Sequence, residues 1–293
     1  MQTIYHAANA IDAQLVLDLL ASEGIQAHVQ GGFLAGGVGE LPAGDLVRVL
    51  VADGDALHAR AILARGRATS GVVDDALDPL LVRSWQRAWT GLGLRADAFH
   101  GRELRDALVA AWSESHRRYH ALRHLVDCVA ILEPHLPVAE HPAEVEMALW
   151  FHDAVHDPQT RDNELRSAAW AMRALGDAGA GAGACARVHA LVMATRHAVL
   201  PEGIDQCLLV DVDLAILGAS AERFDEYEAE VRQEYAWVPR LLFRARRREI
   251  LESFLARPAI YTTPAIKRER EVAARDNLRR ALARLTSWWR RFG

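Results

Sequence analysis

The sequence predicts an α+β N-terminal domain followed by a larger all-α domain. Three observations carry this. Up to about residue 67 the apolar pattern switches between strand and helix periods; from about residue 80 onward nearly every apolar run has helical spacing; and a turn-rich stretch separates the two.

In order, TIYHAA reads as a strand, IDAQLVLDLLASEG as an amphipathic helix and IQAHVQG as a second strand. The glycine-rich GGFLAGGVGELPAG, Gly31 to Gly44, leads to the strand LVRVLVA and the short helix DALHARAILARG. That loop could offer backbone N–H groups to an anion, but it has neither GxGxxG nor a Walker lysine, and a plain connection suits it better. The expected boundaries are a first domain over 1–67, a linker over 68–80 and an all-α domain over 81–293. Helices are expected over PLLVRSWQRAWTGL, GRELRDALVAAWSE, RRYHALRHLVDCVAILEP, EVEMALWFHDAV, NELRSAAWAMRALGDAG, ARVHALVMATRH, DLAILGA, AERFDEYEAEVRQEY, VPRLLFRARRREILESFLAR and Ala265 to Trp289. The run AGAGAGA, near Gly179 to Ala184, reads as a loop without chemistry.

The chain has 293 residues, 51% hydrophobic and 25% charged, enough for a substantial core and long for one domain. With 34 basic and 39 acidic residues the net charge is -5, which gives no global attraction to polyanions and argues against general nucleic-acid binding. The arginine run RLLFRARRREI has helical apolar spacing and acidic flanks, as a solvated amphipathic helix has. No signal-like N-terminus and no bilayer-length apolar run is present, so the expectation is a cytoplasmic protein with no membrane role. Cys128, Cys185 and Cys207 are far apart and without CxxC, as buried small hydrophobes would be. Trp112, Trp150 and Trp170 read as core.

His120 and His124, four apart, would lie about 40° apart on one helix face and could converge on one point. His152 and Asp153 close the apolar run MALWF, where a buried helix would emerge into a polar pocket. Asp211 and Asp213 interrupt the apolar LLVDVDLAILG and need partners if buried. Imidazoles with carboxylates suit a borderline divalent cation (Mn, Fe, Co, Ni or Zn), with Mg as a further candidate. Such an ion acidifies water and neutralises phosphoryl charge. His197, after LVMAT, fits either a substrate or second-metal role or a plain helix C-terminal histidine. Asn163 and Glu164 could return to the pocket or simply open a helix. Of Arg117, Arg118 and Arg123, one or more could clamp a phosphate, the rest forming a solvated face.

The order H, HD, H, D on apolar helices resembles the HD superfamily of metal-dependent phosphohydrolases. More closely, residues from about 84 to 277 resemble the uncharacterised family of predicted metal-dependent HD phosphohydrolases, through ESHRRYHALRHL, ALWFHDAVHD with DNELRSA, ATRH, VDVDLAILG, VRQEYAWVP and FLARPAIY. The resemblance implies an all-α HD-domain helical bundle. It implies His124, His152, Asp153 and one of Asp211 or Asp213 as metal ligands, with the choice between the two aspartates open. YHALRHLVDCV also resembles a stretch of cyclic-nucleotide phosphodiesterases, which implies His120 as proton donor to the leaving oxygen. Ala121 stands where those enzymes have Asn, and their glycine after HDxxHP is missing, so cyclic-nucleotide specificity is not implied.

The expected activity is hydrolysis of a nucleotide or other small phosphorylated metabolite. In that scheme Asp153 and His120 are catalytic, His197 or an arginine steadies phosphoryl charge, and Arg117, Arg123, Asn163 and Glu164 bind substrate. The alternative is a non-catalytic nucleotide- or metal-sensing regulatory protein. Residues 1–66 resemble a family labelled as signal-transducing proteins, thought to be ferredoxin-like and distantly similar to PII regulators, through IYHAANAIDAQLVLDLLASEGIQAHV, AGGVGELP and LVRVLVADGDALHARAIL. That implies a regulatory domain with a protein partner; a homo-oligomer is left open.

Overall fold

The computed structural model describes residues 1–7, 13–14, 16–17, 20–21, 23–30, 47–56, 58–59, 77–94 and 100–287. The Gly31–Gly44 loop, most of the 68–80 linker and the expected end of the last helix at Trp288 and Trp289 lie outside these residues. The chain divides into two compact units, residues 1–77 and 78–293.

In the first unit β1 (Gln2–Ala7), β2 (Ala27–Gln30) and β3 (Val47–Val51) form an antiparallel sheet in the order β1-β3-β2. Val51 stands opposite both Gln2 and Ala27, so β3 is the central strand. Its alternation explains why: Val49 and Val51 are fully buried while Arg48 faces outward. They pack with Ala13, Val16 and Leu20 of the first helical segment and with Ala56 and Ala59 after β3.

In the second unit the described residues form ten α-helices: α1 (Pro79–Gly91), α2 (His100–Trp112), α3 (Leu122–Leu132), α4 (Pro142–Phe151), α5 (Asn163–Asp177), α6 (Ala182–Ala194), α7 (Gly203–Asp213), α8 (Ala221–Glu234), α9 (Arg240–Leu255) and α10 (Pro264–Ser287). No described helix is long and apolar enough to cross a membrane.

Helix α1 starts where Asp78 accepts a hydrogen bond from the Leu80 N–H at 2.8 Å and Pro79 takes the first helical position. It buries Leu81, Ser84, Trp85, Ala88 and Trp89, a stripe at helical spacing. The central helix is α4, buried all round from Glu144 to Phe151. Two carboxylates on it are therefore paired: Glu146 with Arg87 at 2.6 and 2.9 Å, Glu144 with Arg187 at 2.7 Å twice. Trp150 donates to Ser84 Oγ at 3.0 Å, and Trp112 donates to the Trp150 carbonyl at 2.9 Å, satisfying an acceptor at the helix end. Trp112 and Trp150 are core, as expected.

Three expectations change. The helix anticipated from Arg117 begins at Leu122, because Ala121 is extended at φ -112° and ψ 177° and breaks the helical path, while the N–H groups of residues 118–120 are held by a distant side chain. Helix α6 starts at Ala182, inside the alanine-glycine run read as a loop; alanine has the strongest helix propensity and carries the turn. LLVDVD belongs to α7, and LAILG beyond it is a 3-10 turn, Leu214–Gly218. That turn is fixed from α10: Asn277 donates to the carbonyls of Leu217 and Ala219 at 2.9 Å. Gly218 is needed there, since a Cβ would lie 2.6 Å from the Cβ of Arg270.

On α9, read as a solvated amphipathic helix, Arg246 and Arg248 are exposed and pair with Glu249 and Glu252, while Arg247 is buried and pairs with Glu228. Cys128 and Cys185 are buried; Cys207 is half-buried.

Candidate metal centre

Four side chains from three segments converge in the second unit. His124 is on the first turn of α3, His152 and Asp153 follow the end of α4, and Asp213 ends α7. His152 Nε2 lies 3.3 Å from His124 Nε2, 3.3 Å from Asp153 Oδ2 and 3.5 Å from Asp213 Oδ1; His124 Nε2 is 3.3 Å from the same Asp213 oxygen. Donor atoms bound about 2.1 Å from one cation lie roughly 3–3.5 Å apart, so these separations fit a shared ion. The chemistry fits as well. His152 Nδ1–H donates to the Leu149 carbonyl at 2.7 Å, which turns Nε2 toward the two carboxylates. A lone pair meeting two carboxylate oxygens and a second imidazole calls for positive charge at their centre.

Among the protein's own groups, that positive charge falls on the His152 imidazole itself. Burial alone would lower His152, yet Asp153 beside it and the bond to Asp213 push it up to about 9. Asp213 is held well below the usual carboxylate range: burial opposes this, and hydrogen bonds from His124, His152 and His197 overcome it. Burial lowers His124 despite Asp213, and burial keeps the neighbouring Cys128 thiol protonated.

The two aspartates of DVD part company. Asp213 enters the cluster, whereas Asp211 Oδ2 accepts from the Thr262 and Thr263 N–H groups at 2.8 and 2.5 Å and from the Thr262 hydroxyl at 3.3 Å. Asp211, expected as a candidate ligand, instead holds the start of α10. His197 donates from Nε2 to Asp213 Oδ2 at 3.1 Å, fixing the carboxylate's outer oxygen. It stands at φ 53, a left-handed conformation histidine adopts more readily than most residues and that costs about 1 kcal/mol.

His120 is not on α3, and the expected shared helix face with His124 is absent; the two ring planes stand nearly perpendicular, 6.1 Å apart. It sits instead in the turn before the helix, on a carboxylate the sequence reading assigned no role. Glu234, at the end of α8, accepts at Oε1 from the N–H groups of Arg118, Tyr119 and His120 at 2.8–2.9 Å, and at Oε2 from His120 Nδ1 at 2.7 Å. His156 Nε2 lies 3.7 Å from Oε2, its ring stacked on His120 at 4.3 Å. Burial would raise Glu234, but the hydrogen bond from His120, the nearby His156 ring and the N–H of Arg118 hold it far below the carboxylate range. The same bond raises His120 against its burial. His120, His156 and Glu234 are close enough to hold an ion, but both oxygens of Glu234 already accept hydrogen bonds from within the fold. Glu140, His141 and Asp205 also cluster; there Asp205 accepts from two N–H groups that open α4.

A signal for Glu234 existed. Phe224, Tyr227, Val231 and Glu234 are the buried stripe of α8, and a glutamate on an apolar stripe needs a partner.

Arg117, expected to bind substrate, is instead buried within the fold. Its guanidinium is fully buried and donates to the carbonyls of His120 at 3.0 Å, Asp153 at 2.7 Å and Ala154 at 2.9 Å. It ties the two turns that carry His120 and His152–Asp153, and has no donor left facing solvent. Asn163 likewise serves the 157–163 loop, accepting from the Asp157 N–H and the Thr160 hydroxyl and donating to the Asp157 carbonyl. Glu164 is half-buried in the first turn of α5 and raises Tyr235 through its charge, behind burial, Glu234 and Asp153. Arg123 is exposed, 3.3 Å from Glu226, and lines a cavity of about 270 Å³ beside His124 and Asp213.

Residues 1–67 match the family described as "Putative prokaryotic signal transducing protein" (DUF2007). No curated protein and no solved structure matches the chain.

Proposed function

We propose that the second unit is a metal-dependent phosphohydrolase of the HD type, attached to a ferredoxin-like regulatory domain. The observation that carries this reading is the meeting of four side chains, with His152 Nε2 3.3–3.5 Å from His124 Nε2, Asp153 Oδ2 and Asp213 Oδ1, and His124 Nε2 3.3 Å from the same Asp213 oxygen. These four residues would hold a divalent cation, which supplies Lewis acidity and charge neutralisation toward a phosphoryl group. The chain's own contributions surround it. Glu234 stays ionised in its cradle of N–H groups, keeps the proton on His120 and fixes the ring, leaving Nε2 as the donor toward a leaving oxygen. His197 orients Asp213, Arg117 locks the two turns together, and Arg123 is the exposed cation at the adjoining cavity. The substrate is a nucleotide or other small phosphorylated metabolite.

The sheet order β1-β3-β2 supports the ferredoxin-like reading of the first unit, and its family description supports a protein partner there. That description also favours a second reading, a sensor that binds without turnover. Chelated full-length protein is supplied with Mn, Co, Ni, Zn or Mg and incubated with nucleotides and phosphomonoesters. Phosphate release supports hydrolysis. A compound that raises the melting temperature and is recovered unchanged supports the sensor.

A further inference from the structure

A second cleft opens beside His120. It has a volume of about 520 Å³, within the range of small-ligand sites, and four aromatic residues, Tyr227, Tyr235, Trp237 and Phe243, line it. Trp237 is the telling one, because 58% of this large apolar side chain is exposed. Its exposure is built in. The turn that carries it is stapled by Arg232, which donates to the carbonyls of Tyr235 at 2.6 Å, Ala236 at 3.4 Å and Val238 at 3.1 Å. The same guanidinium stacks on Phe243, 4.7 Å from the ring centre. Phe243 and Tyr235 are themselves neighbours, with ring centres 6.4 Å apart. A single arginine thus presets the turn, the exposed indole and one aromatic wall next to the proton-donating imidazole.

We infer that this cleft receives the alcohol half of the substrate, and that this alcohol carries a planar ring stacked against Trp237. The inference rests on the phosphohydrolase reading. In the step it implies, water oxygen bonds to phosphorus and the phosphorus–oxygen bond to the alcohol breaks. The bond's electron pair goes to the leaving oxygen, His120 gives that oxygen its proton, and inorganic phosphate and the ring-bearing alcohol are released. No oxidant or reductant is required. Stacking on an aromatic side chain is a π-face interaction, so a flat ring gains from it where a puckered ring of similar bulk does not.

The test is binding, by calorimetry, of benzylphosphonate and cyclohexylmethylphosphonate to the full-length protein at saturating Mn. Neither can be hydrolysed at a P–O–C bond, so the readout does not depend on turnover. Benzylphosphonate is expected to bind about tenfold more tightly, as one stacking contact allows. Both Trp237→Ala and Trp237→Leu, the second keeping apolar bulk, are expected to bring the ratio near one. Equal affinities in the unsubstituted protein, no binding of either, or a ratio untouched by both variants would each overturn the subsite. Ring-selective binding with no hydrolysis of any ester removes the enzyme reading and leaves the cleft as a ligand site.

Discussion

Replacing Glu234 by Gln separates a positioning carboxylate from a merely structural one. The amide still accepts the three N–H groups of residues 118–120, but its NH2 faces His120 Nδ1–H, so donor meets donor. A charge-assisted bond of roughly 1.5–3 kcal/mol is lost, and the N–H bonds fall to neutral strength, so about 2–3 kcal/mol is expected. For a unit of this size that lowers the melting temperature by about 5–10 °C. His120 loses the partner that raises its pKa, so it gives up its proton at lower pH. The decisive assay is the pH dependence of kcat on a substrate found in the phosphoester panel. The alkaline limb is expected to move at least about one pH unit toward acid, with kcat down roughly 10- to 100-fold near neutrality. A fall in melting temperature with the alkaline limb unmoved would show that Glu234 only supports the fold.

The remaining expectations concern neighbouring residues. Asp213→Asn should remove divalent binding, whereas Asp211→Asn should keep binding and lower the melting temperature, as calorimetry of both variants reads out. Arg117→Met should cost about 3–5 kcal/mol, since three carbonyls away from bulk solvent lose a charged donor whose own side chain is fully buried, and should weaken metal affinity because the His152–Asp153 turn is no longer tied down. Glu234 has a folded pKa far below its unfolded value, so its stabilisation is present above about pH 4.5 and is lost as pH falls. Acid unfolding curves should therefore be shallower below pH 4.5 in Glu234→Gln.

His152, Asp153 and Asp213 were legible because they break an apolar pattern, whereas His124 was reached through a spacing from His120 that the two do not share on one helix. His152 and Asp153 close the buried MALWF, and DVD interrupts an apolar run. The choice between Asp211 and Asp213 was not legible until the segment was known to be helical. Two residues apart on a helix point about 200° apart, so only one can face the site. His120 was placed on a helix by its spacing, because a distant carboxylate capping the preceding turn leaves no local trace. The same distance, 114 residues, hid which imidazole Glu234 meets, although its place on a buried stripe was readable. Arg117 was misread since a clustered arginine looks identical whether its partners are phosphates or backbone carbonyls. Alternation in β3 and the stripes of α1 and α8 were readable, as local periodicity sets which face is buried.

Calorimetric titration of chelated full-length protein with Mn, side by side with His152→Ala and Asp213→Asn, probes the convergence of those four side chains. Saturable binding in the unsubstituted protein and its loss in both variants is the expected outcome. No binding, or binding that survives both substitutions, would mean that these imidazoles and carboxylates do not share a cation.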